Sequence, residues 1–368
     1  MASEINQGIF LRLSIHSLKK RLAHLLQEFR SIGEMTNLSK ISNEISESSA
    51  AMLEIDEASE GQRIDNFLTK TLKGVPKSHL YRILRSGEVR VNKKRIDATY
   101  KLVMGDLVRI PPIRATVAQV DVEQQKPVTA RLEKSIIFED DAMLVLDKPA
   151  GMAVHGGSGV SKGVIEQLRL ERPQAKFLEL VHRLDRETSG VLMVGKKRSA
   201  LVALHEAMRR NQMDKRYFML VKGHWTEKKK KVVLTLQKYL LENGERRVSV
   251  VTGRPDPRAE DEGQTSETIF HLKAHYGEFS LLEAQLITGR THQLRVQLAH
   301  LGFPIAGDDK YGDFALNKAL QKQGLKRMFL HSAETVIRHP LKDEKLKLVA
   351  PLPPELQKFL DKLALENK

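Results

Sequence analysis

The chain has 368 residues, and its 61 Lys and Arg against 46 Asp and Glu give a formal charge of +15. An excess of that size favours a polyanionic partner, nucleic acid or an anionic membrane surface, and says little about fold. No run of about 18 apolar residues occurs, which leaves no membrane span. Cysteine is absent, which removes disulfides, thiolate metal sites and a thiol nucleophile together while fitting a cytosolic protein.

Residues 1 to 34 carry apolar positions at near-helical spacing (Ile9, Leu13, Leu18, Leu22, Leu25, Leu26, Phe29). They lack the continuous apolar core and small-residue cleavage site of a secretory signal. Three readings stand: an amphipathic helix lying on a membrane, a dispensable extension, or sequence upstream of a true start at Met35, the last two favoured. Residues 36 to 51, rich in Ser, Asn and Glu, read as a flexible lead-in, so residues 1 to 51 are assigned as an extension.

Residues 52 to 113 read as a compact unit. Ile64, Phe67, Leu68, Thr71 and Leu72 repeat at helical spacing until Lys73-Gly74-Val75-Pro76. A second helix from Ser78 buries Leu80, Ile83 and Leu84 and stops at Gly87. Val89 to Val91 and Arg95-Ile96 are expected to form a hairpin about Asn92-Lys93-Lys94, with a further turn at Gly105-Asp106 before residues 107 to 110. Between positions 61 and 115, 13 Lys or Arg stand against four acids, so +9 of the chain's +15 sits in 55 residues. Such concentration reads as a phosphate-tracking surface (Arg63, Lys77, Arg82, Arg85, Arg90, Lys93, Lys94) rather than a merely solvated face. Gln62-Arg63-Ile64-Asp65 and the run from Arg82 to Asn92 resemble the S4 RNA-binding domain. That resemblance implies grip on structured RNA and no chemistry.

Pro111-Pro112 closes this unit, and residues 114 to 132 read as a linker. Residues 133 to 368 form a larger domain. Strands are expected at 136–138 and 143–146, with Asp147 to Gly151 ending the second, then a loop at 155–159 and a helix at 163–171. Two apolar runs, 177–181 and 191–194, flank the polar turn His182-Arg183-Leu184-Asp185-Arg186-Glu187-Thr188-Ser189-Gly190. Here Asp185, set among arginines, is either a reactive acid kept ionised out of water or a turn aspartate bonding the backbone of Thr188 or Ser189. Next come a helix at 199–209, a strand at 217–221, an exposed loop Lys228 to Lys231 feeding a strand at 232–236, and a surface loop at 253–264. Strands at 269–273 and 280–286 precede a turn at Gly289 that feeds a helix capped by Thr291, burying Leu294, Leu298 and Leu301 and stopped by Gly302. Residues 356 to 365 read as a closing helix. The class is α+β, with a mixed, mainly antiparallel sheet of hairpin-connected strands.

No nucleotide-cofactor signature appears, since residues 155 to 159 have neither Gly-x-Gly-x-x-Gly spacing nor the Gly-Lys-Ser/Thr of a phosphate loop. His182, Asp185, His292, His300 and His331 lack the close pairing of a metal site, so no metal is expected. A glycosidase-type carboxylate pair is not apparent either.

The 182–190 turn matches the signature of RluA-type pseudouridine synthases. Lys215-Arg216-Tyr217, Gly289 to Arg295, and Phe303-Pro304-Ile305 with Asp308 to Gly312 match its other motifs in order. The resemblance is to the subgroup acting on large-subunit ribosomal RNA, and covers roughly residues 52 to 360. It implies the pseudouridine synthase fold with a central cleft, a cytoplasmic, monomeric enzyme, and cofactor-independent isomerisation of specific uridines in that RNA. The reaction breaks N1–C1′, turns the uracil and joins C5 to C1′. The resemblance gives Asp185 either attack on the sugar or removal of its 2′ proton, and both routes stay open. Because the base must leave its stack, Arg183 is implied to fill the vacated space and Tyr217 to pack on the extruded uracil. Arg295 is implied as the ion-pair partner of Asp185: burial disfavours a carboxylate's charge, and a guanidinium beside it opposes that. Arg290 and His292 are structural or substrate-facing.

Overall fold

The computed structural model describes residues 50–72, 74–113, 131–156, 162–242, 244–253, 259 and 262–366. The expected amino-terminal extension, nearly all of the linker, most of the 253–264 loop and the glycines and serine at 157–159 lie outside those residues. The chain divides into two compact units between Gln125 and Lys126.

In the first unit β1 (Ala51–Glu54) precedes α1 (Ile64–Thr71) and α2 (Lys77–Ser86), followed by β2 (Arg90–Val91) and β3 (Leu107–Ile110). The strands run antiparallel in the order β1-β3-β2. The fixed φ of Pro76 starts α2, and Gly87 ends it in the left-handed conformation (φ 75°) with its amide returned to the last turn. One core holds Ile64, Leu68, Leu80, Ile83, Leu84, Val91, Val108 and Ile110. Two features differ from the sequence expectation. The hairpin between 89–91 and 95–96 reduces to a single bridge, Val91 to Lys94, across a turn with positive φ at Asn92 and Lys93. Val91 instead pairs with Val108, and Ile96 packs on the same core without joining the sheet. Ala51, expected in the lead-in, begins a strand whose low β-propensity hid it.

The second unit is built on eleven strands: β4 (Ile136–Glu139), β5 (Met143–Lys148), β6 (Glu179–Leu180), β7 (Ser189–Gly195), β8 (Asp214–Lys222), β9 (Lys229–Leu240), β10 (Arg246–Val250), β11 (Gln264–Tyr276), β12 (Phe279–Leu286), β13 (Leu330–Arg338) and β14 (Lys345–Val349). Their order is β10-β9-β11-β12-β8-β13-β7-β5-β4, with β14 on β13 and β6 on β7. Every pairing is antiparallel except β13 with β7. Helices α3 (Val164–Glu171), α4 (Arg198–Arg209), α5 (Gln293–His300), α6 (Phe314–Gln323) and α7 (Pro354–Glu366) pack on this sheet. Lys229 to Lys231, expected in a loop, already belong to β9 and face Ile269 to His271. Leu132, expected in the linker, is buried in a short 3₁₀ turn (Leu132–Ser135). Among the described residues no helix is long and apolar enough to cross a membrane.

The parallel contact matters for the site. β7 meets β13 only at Ser189↔His331 and Gly190↔Ser332. Gly190 holds φ 106°, and a Cβ there would stand 2.1 Å from the Ser332 carbonyl oxygen. Only glycine lets the two backbones approach, so the last residue of the 182–190 turn is fixed by sheet geometry.

Candidate active site

Between the end of β6 and the start of β7 the chain leaves the sheet and carries Asp185 outward. The loop after β5 is tied to this turn. Lys148, wholly buried at the end of β5, donates from Nζ to the carbonyls of Pro149 (2.8 Å), Met152 (2.8 Å) and Arg186 (3.1 Å). Gly151 and Arg186 close the clip, the Gly151 amide donating to the Arg186 carbonyl and Arg186 Nε to that of Gly151, each at 2.9 Å. Burial pushes the Lys148 ammonium down to about 7, and the Arg327 charge pushes the same way. Behind the turn, Arg327 Nη2 donates to the Glu187 carbonyl (3.2 Å) and to Ser189 Oγ (2.8 Å), which also bonds His331 Nδ1 (2.8 Å). In sequence Lys148 is only the end of an apolar strand; nothing in the pattern shows a carbonyl cage.

Asp185 does not spend its side chain on the turn. The Thr188 amide bonds the Asp185 backbone carbonyl, and the carboxylate takes Arg295 Nη1 on Oδ2 at 3.0 Å. Arg295, in the first turns of α5, is 4% exposed and is itself clamped by Asp308, with Nε to Oδ2 at 2.8 Å and Nη2 to Oδ1 at 2.7 Å. Asp308 also accepts the amides of Lys310 and Tyr311. Burial alone would lower the Arg295 pKa, but Asp308 and then Asp185 raise it further above its usual range. Burial likewise opposes ionisation of Asp308, and Arg295 with the two amides overrides it, leaving Asp308 below the usual carboxylate range.

The other oxygen, Oδ1, faces His292 Nε2 at 3.9 Å. His292, not Thr291, takes the position before α5, in the left-handed conformation (φ 52°) and without a side-chain cap. The Val248 amide donates to the Tyr311 hydroxyl, which lies 2.8 Å from His292 Nδ1. Tyr311 thereby fixes the ring through Nδ1 and leaves Nε2 turned toward Asp185. Burial lowers the His292 pKa against the pull of the Asp185 charge.

Tyr217, on β8, is 6% exposed; burial pushes its phenol up to about 12, with the Asp185 charge acting in the same direction. Asp185, Tyr217, Arg295, Arg183, Arg290, His292 and Lys215 line one cleft of about 970 Å³, ample for a nucleoside. Arg183 is exposed at its rim. His182 turns inward, its Nε2 accepting the Met193 amide, and burial drives its pKa down to about 4. Among the described residues no three acidic, histidine or cysteine side chains converge as a metal site would need.

Comparison with known proteins says which family carries this chain. Residues 142–300 fit the family described as RNA pseudouridylate synthase, and residues 62–108 the S4 domain. The ribosomal large subunit pseudouridine synthase C of Escherichia coli K12 is 52% identical over 84% of this chain and 94% of its own length. The chain belongs to the RNA pseudouridine synthase family. The Pasteurella multocida synthase C is 50% identical over 85% of this chain and 93% of its own. Among solved structures, human RNA pseudouridylate synthase domain containing 4 superposes with a TM-score of 0.51 at 26% identity, covering 63% of this chain and 94% of that one.

The remaining sequence-derived residues of the synthase lie in its S4 unit. Arg63, Lys77, Arg82, Arg85, Arg90, Lys93 and Lys94 are all exposed there. Arg63 grips Asp65 through Nε (3.1 Å) and Nη2 (2.6 Å), and Arg90 Nε donates to the Gly87 carbonyl, which holds both heads in place. Asp308 of the synthase lies within a motif and Lys148 at a strand end, and neither position by itself marks a site residue. The signal for Asp308 was its fixed place in the Asp308 to Gly312 motif; for Lys148 there was none beyond an ionisable group at the end of an apolar strand.

Proposed function

We propose that this synthase isomerises specific uridines of large-subunit ribosomal RNA to pseudouridine, with no cofactor, through Asp185 acting at the ribose of a uridine turned out of its stack. The observation that carries the reading is the Asp185–Arg295–Asp308 chain of charges, which aims one carboxylate into a cleft lined by Tyr217. The relatives' names, synthases of the ribosomal large subunit, support the choice of RNA. In this reading Asp185 attacks C1′ or takes the 2′ proton, Arg295 orients it, Tyr217 packs on the everted uracil, and Arg183 at the rim fills the space left in the RNA. The isomerisation conserves atoms and electrons, so the residues of one chain suffice. Residues 52 to 113 bind RNA and residues 133 to 368 carry the chemistry.

Mapping pseudouridine chemically on ribosomal RNA from cells lacking the protein, then restoring it with purified wild type, tests the assignment. Asp185→Asn should restore no site. Full conversion by that variant would sink the proposed mechanism, and an unchanged map in the deletion strain would leave an RNA-binding factor without catalysis.

A further inference from the structure

We infer that Lys215 is a further catalytic residue, whose ε-ammonium holds the uracil as an anion while the base is detached from the sugar. This rests on the reading of Asp185 above. Lys215 and Tyr217 are two apart on β8, so both project from one face of the strand into the cleft. The ammonium reaches the Gly289 turn, where a Cβ built on Gly289 would lie 3.7 Å from Nζ. Three residues on, His292 faces Asp185.

Lys215 differs from the other cations of the cleft. Arg295 is committed to Asp185 and Asp308, Lys310 to Glu245, Arg290 to the Thr265 carbonyl and Arg186 to that of Gly151. Arg183 is open to solvent. Lys215 is half-buried, and among the described residues it has neither an ion-pair nor a hydrogen-bond partner. Burial lowers its pKa, and its charge in turn helps hold His182 neutral. A half-buried ammonium without a partner is costly in the free protein, and a ligand of opposite charge removes that cost.

The reaction generates such a charge. When N1–C1′ breaks, its electron pair goes to N1 and spreads onto O2 and O4, leaving a uracil anion. The groups around Arg295 are already net negative, since it stands against Asp185, Asp308 and the exposed Asp309. A second anion beside them needs a cation that those groups do not supply. Lys215 donates a hydrogen bond and transfers no proton. The ring then turns and the C5 pair forms the bond to C1′. On the attack route the Asp185–C1′ ester bond breaks and returns its pair to the carboxylate; on the elimination route C2′ takes back the proton Asp185 had removed. C5 then gives its proton to water while N1 takes one from water. The balance closes within the substrate and water.

The test compares wild type, Lys215→Met and Lys215→Arg in single turnovers on a ribosomal RNA fragment containing the mapped target, as uridine and as 5-fluorouridine. Loss of a preorganised donor predicts a fall in glycosidic cleavage of about 10²–10³ for Lys215→Met, with RNA affinity unchanged and much of the rate kept by Lys215→Arg. Fluorine makes the uracil anion less basic, so the ratio of wild type to Lys215→Met should shrink on the fluorinated substrate. An equal ratio on both substrates overturns the inference, as does a loss confined to RNA affinity, which would make Lys215 a phosphate contact. Should Lys215→Met fail to fold, a Lys215→Arg enzyme as slow as Asp185→Asn would overturn it. Activity in Asp185→Asn would bring down the parent reading instead, so the two failures are distinguishable.

Discussion

Asp308→Asn removes one charge from the buried clamp at almost constant volume. In the wild type, Arg295 donates twice to Asp308 at 2.7 and 2.8 Å and once to Asp185 at 3.0 Å. An asparagine keeps one acceptor and sets an amide N–H against a guanidinium N–H. Arg295 is then left with half-buried Asp185 and with Asp309, whose side chain is 71% exposed. Removing one partner of a buried charge costs about 3–5 kcal/mol. For a unit of this size each kcal/mol is worth roughly 2–4 °C, so the melting temperature should fall by on the order of 10 °C. Activity should fall further than stability explains, because Arg295 is freed to lean toward Asp185 and Asp309 and the carboxylate loses its fixed aim. The assay is thermal unfolding by calorimetry beside single-turnover pseudouridine formation, well below the melting point. A double-mutant cycle with Asp185→Asn isolates the coupling through Arg295. A melting temperature within about one degree of wild type, together with an unchanged rate, would refute the idea that Asp308 anchors the reactive pair.

Three other outcomes are expected. Gly190→Ala puts a methyl carbon into the Ser332 carbonyl at a backbone angle that alanine resists, so the variant should be recovered unfolded or destabilised by more than about 3 kcal/mol, measured by urea unfolding. His182 and His331 are both pushed down to about 4 by burial, so the unfolded chain binds their protons first as pH falls below the usual histidine range. Stability should therefore decline from about pH 6.5 to about pH 4, and His331→Gln should flatten that decline in acid-titration melts; an unaltered slope argues against a neutral buried histidine. Exchanging Arg82, Arg85, Lys93 and Lys94 for Gln should weaken RNA binding and reduce the salt slope of log K by up to about one per lost phosphate contact, while chemistry on bound RNA survives.

What the sequence made legible was chiefly local. Helices with strong periodicity, such as residues 64 to 71 and 198 to 209, were visible in their apolar spacing, as was the strand–turn–strand about Asp185. The pairing of Asp185 with Arg295, 110 residues apart, came from the resemblance and not from spacing. Strands β10, β13 and β14 are not legible: Arg246 to Val250 opens on two charges and mixes polar with apolar groups, and Lys345 to Val349 alternates charge with apolar groups, as a solvated loop also can. β13, buried on both faces over much of its length, lacks an alternation to detect. Thr291 looked like a helix cap by residue type, yet the start is set by His292, whose left-handed backbone aims its ring at Asp185. Side-chain chemistry at a site overrode the local propensity rule there.

The carbonyl cage around Lys148 also bears on how substrate gets in. One ammonium ties residues 149, 152 and 186 together, so the loop after β5 and the segment carrying the acid are held as one piece. On the function proposed above, the strand bends its own backbone and offers the base to a segment already held in place. Selectivity would follow from how readily a given stretch of RNA unravels at that point, so hinged or bulged uridines would be taken ahead of those locked in a continuous helix.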